Sequence, residues 1–253
     1  VRTASSEQDE ATYIADRILE GVAAGRRFSD FAVLYRMNTQ SNALEKVFTK
    51  SGIHYRIIGG QRFYDRREIR DMVAYLNVIN NPDDEVRLQR ILNRPKRSIG
   101  DKTIAQAMEI AAQTGESLFD VISHADEFET LKRSAAKLLT FAKMIEELSE
   151  LASDGQTSLG ELYEQLLQKT GYLVALLASG EADAEDRTDN IRELSTNLIK
   201  YEEDNGEEAS LSGFLEEVSL LTDIDNYDSS SDSAVLMTIH SAKGLEFPVV
   251  FLP

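Results

Sequence analysis

TIHSAKGLEF, residues 238–247, places His240, Lys243, Gly244 and Glu246 on a short segment between two apolar runs, VLMTI (235–239) and VVFL (249–252). Short apolar runs bounded by polar or turn-forming residues read as strands buried on both faces of a sheet. The nine residues between these runs are too few for an ordinary crossover helix between parallel strands. They suit one tight turn of helix, which sets the polar groups of the segment at the carboxyl edge of the sheet. In open parallel sheets, ligands bind at that edge. Whether the rest of the chain builds such a sheet therefore decides what the segment is for.

Outward from it, the first 80 residues supply the matching pattern. FAVLY (31–35), preceded by Gly25 and polar residues, reads as a buried strand. Ser41 is expected to cap a helix over SNALEKVFTKSG, whose Leu44, Val47 and Phe48 share one face, with Gly52 ending it. IHYRII (53–58) returns as a strand before the Gly59-Gly60 turn. Strand, helix, strand over about 30 residues implies a parallel pair. DRREIRDMVAYLNVI (65–79) spaces Ile69, Met72, Val73, Leu76 and Ile79 as one helical face, with Asp65 and Glu68 as an expected capping pair and Asn81-Pro82 as the stop.

From Pro82 to about Asn226 the strand signal vanishes. VRLQRIL, IAQAMEIAA, LLTFAKMIEEL, LGELYEQLLQ, NIRELSTNLIKY and LSGFLEEVSLL all have helical periodicity. Acidic linkers intervene at 181–190 and 202–208, and DNYDSSSDS (225–233) reads as a flexible junction. Neither flanking α/β piece is large enough for a sheet domain alone. The expected fold is α/β: one parallel-sheet domain, residues 1–90 and 227–253, with an all-helical domain inserted over 91–226.

Composition bounds the function. The chain has 253 residues, 42% apolar, which is enough for a packed core. The absence of Cys excludes disulfides and thiolate metal sites and fits a reducing, cytoplasmic setting. The longest apolar stretch, LVALLA (173–178), is far shorter than the roughly 20 residues of a membrane span, so no membrane partner is expected. VRTASSEQDE opens without Met or a secretory signal, and the sequence is expected to be a piece of a longer chain. A net charge of −17 opposes wholesale nucleic-acid binding. Yet residues 56–102 hold eleven Lys or Arg against seven Asp or Glu, leaving that stretch at +4. One cationic face with a solvated acidic back gives this asymmetry; chance clustering of surface arginines gives it too.

Two loops follow strands to the ligand-binding edge, RMNTQS (36–41) and HSAKGLE (240–246). Arg36, Asn38, Thr39, His240 and Lys243 are hydrogen-bond donors for phosphates or bases. Gly244 permits close backbone approach, and the Glu246 carboxylate suits a ribose hydroxyl or a cation. A single donor after a strand is more often an ordinary loop residue, so these positions gain weight only together.

The whole string T-I-H-S-A-K-G-L-E-F resembles motif V of the UvrD/PcrA/Rep-type superfamily 1 DNA helicases. YRMNTQS, YRIIGGQRFYDRREIRDMVAYL (55–76), ILNRPKRSIGDKTI (91–104) and DRTDNIREL (186–194) resemble further segments of that family, so the resemblance covers the whole chain. It implies a RecA-like motor domain, called 2A, interrupted by a helical 2B domain. By the same resemblance His240, Arg36 and Asn38 contact single-stranded DNA, and Glu246 reaches the ATP sugar with Gly244 and Lys243 nearby. The resemblance also makes RPKRSIGDKT a hairpin touching duplex phosphates through Arg97, Gly100, Lys102 and Thr103. In that hairpin Ile99 is expected to pack inward and Gly100 to allow a tight turn. Free N–H groups at the next helix start attract phosphate. Ser98 departs from the Gly common in the family, and Asp101 adds a negative charge. A capped helix–turn–helix without a ligand is the alternative.

ATP and Mg²⁺ are implied for the longer parent, with single-stranded DNA, a single-strand/duplex junction, the first motor domain and repair or replication proteins as partners. No G-x-x-x-x-G-K-[ST] occurs, no apolar strand ends in Asp-Glu, and no arginine-rich segment offers an arginine finger. No catalytic or metal-ligating residue is therefore assigned here, and the chain alone is expected to be inactive. Three readings follow: part of an ATP-driven helicase, a non-enzymatic duplex-binding or regulatory module, and an acidic interaction scaffold. The motif string disfavours the scaffold.

Overall fold

The computed structural model describes residues 3–224 and 232–253. In chain order the elements are α1 (Glu7–Ala23), β1 (Phe31–Tyr35), α2 (Ser41–Lys50), β2 (Tyr55–Ile58), α3 (Arg67–Asn80), α4 (Glu85–Ile91), α5 (Asp101–Thr114) and α6 (Leu118–Ser123). They continue with α7 (Ala135–Ser153), α8 (Leu159–Thr170), α9 (Tyr172–Leu177), α10 (Ala184–Asn205), α11 (Leu211–Ile224), β3 (Ala234–Thr238) and β4 (Val249–Phe251). The chain divides into two compact units, residues 1–66 with 217–253, and residues 67–216.

The first unit is the expected parallel sheet, in the order β2-β3-β1-β4. β1 and β2, joined through α2, are not neighbours. β3, which follows the whole helical segment, lies between them, with Val33 beside Leu236 and Ile57 beside Leu236 on its other flank. On one face Phe31, Val33, Tyr35 and Leu236 are packed by Ile14 and Ile18 of α1 and by Leu44, Val47 and Phe48 of α2. On the other, Ala32, Val235 and Met237 are fully buried and packed by Ala242 and Phe247. The 239–248 connection thus crosses that face as a run of turns.

α1 was not among the elements expected. Its N-cap is Ser6, whose hydroxyl accepts the Asp9 N–H, and Glu7, Asp9 and Glu10 complement the helix dipole. Two expected caps are corrected. α2 begins at Ser41 itself, and the Ser41 hydroxyl donates to the Glu45 carboxylate at 2.5 Å. α3 begins at Arg67, and Glu68 is buried against a different helix, so it does not pair with Asp65 across a cap.

The second unit is helical throughout its described elements. All six helical patterns read between Pro82 and Asn226 are helices, and short α6 and α9 join them. Compactness divides the chain at 66/67 rather than 90/91 because α3 packs against α4, α7 and α10. Most of the expected junction 225–233, and the 226/227 boundary, lie outside the described residues. Ser158 and Glu161 form a reciprocal capping box at α8, with both backbone N–H groups bonded at 3.1 Å. Tyr163, fully buried, ties α8 to α10 by donating to Ile191 O at 3.1 Å.

Two buried carboxylates on α3 organise this unit. Glu68, 3% exposed, accepts from Arg187 Nε at 3.2 Å and Asn190 Nδ2 at 2.7 Å, both on α10. Asp71, 1% exposed, accepts from Arg90 and Arg94 and from the Tyr172 hydroxyl at 2.8 Å. Removing one partner of a buried ion pair leaves an uncompensated charge, which costs about 3–5 kcal/mol. Arg187→Met is therefore expected to lower the unfolding free energy by about that amount. Adding Glu68→Gln, which keeps an acceptor for Asn190, should restore most of the loss. Denaturant titration of both variants checks this; equal stability of Arg187→Met and the parent would remove the pair from the account.

Candidate functional site

Three loops leave the carboxyl ends of adjacent parallel strands: 36–40 after β1, 239–248 after β3 and 59–62 after β2. Tyr35 lies beside Thr238, and the register continues past the strands, because Ile239 N–H donates to Tyr35 O at 2.9 Å. Gly59 has φ +73°, and a Cβ there would sit 2.5 Å from Ser241 Oγ, so the Gly-Gly turn is pressed against the 239–248 segment.

The 239–248 segment is built by a side-chain turn. Thr238 Oγ1 accepts the Ser241 N–H at 3.2 Å, Ala242 N–H donates to Thr238 O at 3.2 Å, and Leu245 N–H donates to Ala242 O at 3.0 Å. Ala242 and Phe247 turn inward onto the sheet, while His240, Lys243, Gly244 and Glu246 are exposed. Gly244 takes φ +86°, a conformation that a side chain would strain.

The 36–40 loop is held from beneath. Gln40 Oε1 accepts the N–H groups of Arg36 and Met37 at 2.9 and 3.0 Å, and the side chains of Arg36 and Asn38 remain exposed. Arg66, only 7% exposed, donates from Nη2 to Asn38 O and to Ser41 Oγ, both at 2.9 Å. Ser41 passes the chain on to Glu45, which also accepts the Phe63 N–H at 3.1 Å. The Arg66 guanidinium lies 5.2 Å from the Phe63 ring centroid. Burial, with the Glu45 carboxylate nearby, pushes the Tyr35 phenol up to about 12. Gln40, Glu45, Arg66, Thr238 and Ser241 carry no role in the sequence reading. Arg66 lies within the quoted 55–76 segment, and that likeness was the available signal for it.

The hairpin 93–103 lies in the helical unit. Asn93 Oδ1 accepts the N–H groups of Arg97 and Ile99 at 2.7 and 3.3 Å, and Ile99 is fully buried. The left-handed residue is Ser98, at φ +58°, whereas Gly100 has an ordinary φ of −83°; the sharp turn expected at Gly100 is made two residues earlier in the hairpin. The Arg97 guanidinium turns inward. It donates to Ile91 O and Arg94 O at 3.1 Å and to the Tyr75 hydroxyl at 2.6 Å, and lies 5.2 Å from the Phe141 ring centroid. Burial pushes the Tyr75 phenol up to about 12. Gly100 caps α5, its carbonyl accepting the Thr103 N–H at 2.8 Å, and nothing stands within 4 Å of the space above its Cα. Lys102 is exposed on the first turn, and Thr103 Oγ1 lies 3.2 Å from Ser134 Oγ. Arg36, Asn38, His240, Lys243, Gly244 and Glu246 therefore share the carboxyl edge of the sheet. Arg97, Gly100, Lys102 and Thr103 share one hairpin of the helical unit.

A parallel sheet with exposed donors gathered at the carboxyl ends of its strands, and a helical unit inserted in its sequence between β2 and β3, defines an α/β protein of the class whose ligands are held at that edge. The chain belongs to the UvrD-like helicase C-terminal domain family, whose model matches residues 1–253. It is 40% identical over 250 residues to the ATP-dependent DNA helicase PcrA of Staphylococcus epidermidis, across 98% of this chain and 34% of that protein. Identity to the ATP-dependent DNA helicase PcrA of Staphylococcus aureus is 39% over the same length. The chain thus spans about a third of the length of these relatives. The family expected from the motif string is confirmed. No helix among the described residues is long and apolar enough to cross a membrane.

Arg66 is the support on which the loop bearing Arg36 and Asn38 rests. Arg66→Met removes two hydrogen bonds from a charged donor, each contributing about 1.5–3 kcal/mol. It is expected to destabilise the sheet unit by roughly 3 kcal/mol and to raise hydrogen exchange at Met37 and Asn38 above that at β1. Unchanged exchange across 36–40 would show that the loop is held by Gln40 alone.

Proposed function

We propose that this chain is the second motor half of an ATP-dependent DNA helicase, together with its inserted duplex-contacting domain. The observation that supports this reading best is the division of labour along 238–247. Ala242 and Phe247 anchor the segment to the sheet, and both the strand-binding candidate His240 and the nucleotide-facing candidates Lys243, Gly244 and Glu246 project from it. Only five residues separate His240 from Glu246 on one anchored segment, a short path along which a displacement at one would reach the other. Coupling of a nucleotide to a grip on DNA needs that linkage.

In this reading Arg36, Asn38 and His240 hold single-stranded DNA, and Glu246 accepts a hydrogen bond from the nucleotide ribose. Lys243 and the backbone at Gly244 lie beside the nucleotide, where the open, left-handed glycine lets a ligand approach. The phosphate chemistry of the nucleotide is the source of energy for movement. The donor set fits a sugar and a strand, but among the described residues no carboxylate cluster fits a metal ion. The P-loop lysine and the Mg²⁺ ligands are assigned to the first motor domain, the partner this chain requires. A single-strand/duplex junction, and proteins of repair or replication, complete the proposed partners.

The helical unit supplies a second activity of the same chain, binding of duplex DNA without catalysis. Lys102 is exposed and the space above Gly100 is open, which with the start of α5 suits a backbone phosphate, while Thr103, half-buried with its hydroxyl against Ser134, borders that space. Arg97 acts there by holding the hairpin to Tyr75 and Phe141.

The chain by itself is expected to release no phosphate from ATP, with or without DNA; DNA-stimulated hydrolysis lost on Glu246→Ala would overturn the division of the site between two domains. In a longer protein that contains this chain, His240→Ala and Arg36→Ala are each expected to weaken single-strand binding by about 1–3 kcal/mol and to slow translocation. Normal affinity and stepping in both would refute the assigned contacts.

For the duplex contact, the logarithm of the binding constant should fall linearly with the logarithm of salt, at about 0.9 per neutralised phosphate. Lys102→Ala is expected to make that slope shallower by about one, independent of base sequence. Arg97→Ala should instead lower thermal stability. Anisotropy titrations on a hairpin duplex read the first effect, and a slope unchanged by Lys102→Ala would return the hairpin to a purely structural role.

A further inference from the structure

In the sheet, β2, β3 and β1 are neighbours in that order, so the loop after β3 stands between those after β2 and β1. The chain leaving β2 nonetheless reaches both. Gly59 lies against the segment after β3, where a Cβ would come to 2.5 Å from Ser241 Oγ and 3.1 Å from Ser241 Cβ. Gly60 lies against the loop after β1, where a Cβ would come to 3.5 Å from Asn38 Oδ1 and 3.3 Å from Ile57 Cγ2. Further along, Phe63 N–H donates to Glu45 Oε2 at 3.1 Å and Arg66 Nη2 donates to Asn38 O at 2.9 Å. Residues 59–66 therefore form a strap across the end of β3, in contact with the loops on both sides.

Each contact of the strap meets a group that is fixed from elsewhere. The Ser241 N–H donates to Thr238 Oγ1 at 3.2 Å, and the Ser241 hydroxyl lies 2.9 Å from the same oxygen. Asn38 stands in the loop whose Arg36 and Met37 N–H groups are taken by Gln40. The two glycines answer different needs. Gly59 has a left-handed backbone, at φ +73°, which favours glycine by conformation alone. Gly60 is not left-handed, so what a side chain would change there is the room beside Asn38 and Ile57. Packed groups with no space between them pass a displacement on rather than absorb it.

We propose that Gly59 and Gly60 are positioning residues, through which the strap sets the Asn38 side chain according to where the 239–248 segment lies. A shift of that segment on nucleotide binding then moves a DNA donor on another loop. This rests on the reading that Asn38 holds single-stranded DNA and that Glu246 faces the nucleotide. In that assignment the glycines touch neither ligand and act through Ser241 and Asn38. The bond from Ile239 N–H to Tyr35 O ties the same two loops where they leave the strands, and the strap ties them further out. Coupling between two ligands requires a contiguous path of this kind, biased by both.

The test is the linkage between the two ligands. In a longer protein that contains this chain and the first motor domain, affinity for a fluorescent oligothymidylate is measured with and without a non-hydrolysable ATP analogue and Mg²⁺. The analogue is expected to change that affinity about five-fold or more, and Gly60→Val, which crowds Asn38 and Ile57, to cut the change to below about two-fold. A purely structural role would weaken both affinities alike and keep their ratio, which would overturn the proposal. Ser241→Gly opens a gap at the other contact and is expected to lower the ratio too, and adding Gly59→Ala refills the gap and should restore most of it. Thermal denaturation accompanies each variant; should Gly60→Val fail to fold, the Ser241→Gly and Gly59→Ala/Ser241→Gly pair decides. In the 253-residue chain without ligands, Gly60→Val is expected to raise amide exchange at Arg36 and Met37 and also at Ser241 and Ala242. A rise confined to one loop would overturn the strap whatever the chain binds. A rise in both, with no nucleotide effect on DNA affinity in the unsubstituted longer protein, would instead overturn the functional reading and the coupling role with it.

Discussion

Three buried charged side chains, Arg66, Glu68 and Asp71, fall within six consecutive residues, and most of what distinguishes this structure follows from how each is matched. An ion removed from water costs several kcal/mol unless geometry and hydrogen bonds compensate it. Each of the three therefore dictates a partner. Arg66 takes the carbonyl of Asn38 and the Ser41 hydroxyl. Glu68 takes Arg187 and Asn190, more than a hundred residues further along. Asp71 takes α4 through two arginines and α9 through Tyr172. Apolar packing alone would let helices slide or exchange neighbours. Charges that cannot be left unpaired give each contact a single register. The chain passes from the sheet unit to the helical unit between Arg66 and Arg67, so this short stretch anchors both units from within.

The sheet depends on a different constraint. β3 is a central strand, flanked by β2 and β1, yet it follows the helical segment in sequence. β1 and β2 cannot pair with each other in this topology. Both sides of the central position are satisfied only when the chain returns. That same topology creates the site, since the loops after β2, β3 and β1 become adjacent only through β3. Gly59 against Ser241 and Ile239 against Tyr35 are the visible seams. The inserted unit interrupts the sequence of the sheet domain between β2 and β3, before the loop that completes its polar edge.

Much of this was legible in the sequence, and the gaps have a common physical origin. FAVLY, IHYRII and the runs on either side of TIHSAKGLEF announced strands because short apolar runs bounded by turns have few other uses, although β2 itself begins only at Tyr55. The helical patterns were equally plain. Periodicity, however, reports where apolar side chains recur, and says nothing of where a charged one points. Arg97 and Lys102 are both basic residues of one hairpin, yet the first folds under onto Tyr75 and Phe141 and the second faces solvent. Glu68 looked like a cap because it stands near a helix start, and only the distant Arg187 and Asn190 show it to be a core residue. α1 escaped because its polar first turn hides an inner face of Ala11, Ile14, Ala15 and Ile18. Ser98 was noticed as a departure from glycine, and its left-handed backbone is what a glycine at that position would have served. In the site, the exposed candidates were legible, whereas the residues that hold them, Gln40, Arg66 and Thr238, act through backbone atoms that leave no motif of their own.

The charge distribution completes the physical picture. At physiological salt the screening length is about 8 Å, shorter than the width of either unit, so a phosphate at the surface responds to the charges around it and hardly to the net −17. Within that distance of its acidic patches the surface repels a phosphate. Binding is then favoured only where guanidinium or ammonium groups are both concentrated and held still. Around Asp71 one buried carboxylate is met by two guanidiniums, Arg90 and Arg94, and Arg94 remains 43% exposed. A cluster of arginines without that carboxylate would repel itself apart. The buried acid is what permits the exposed base.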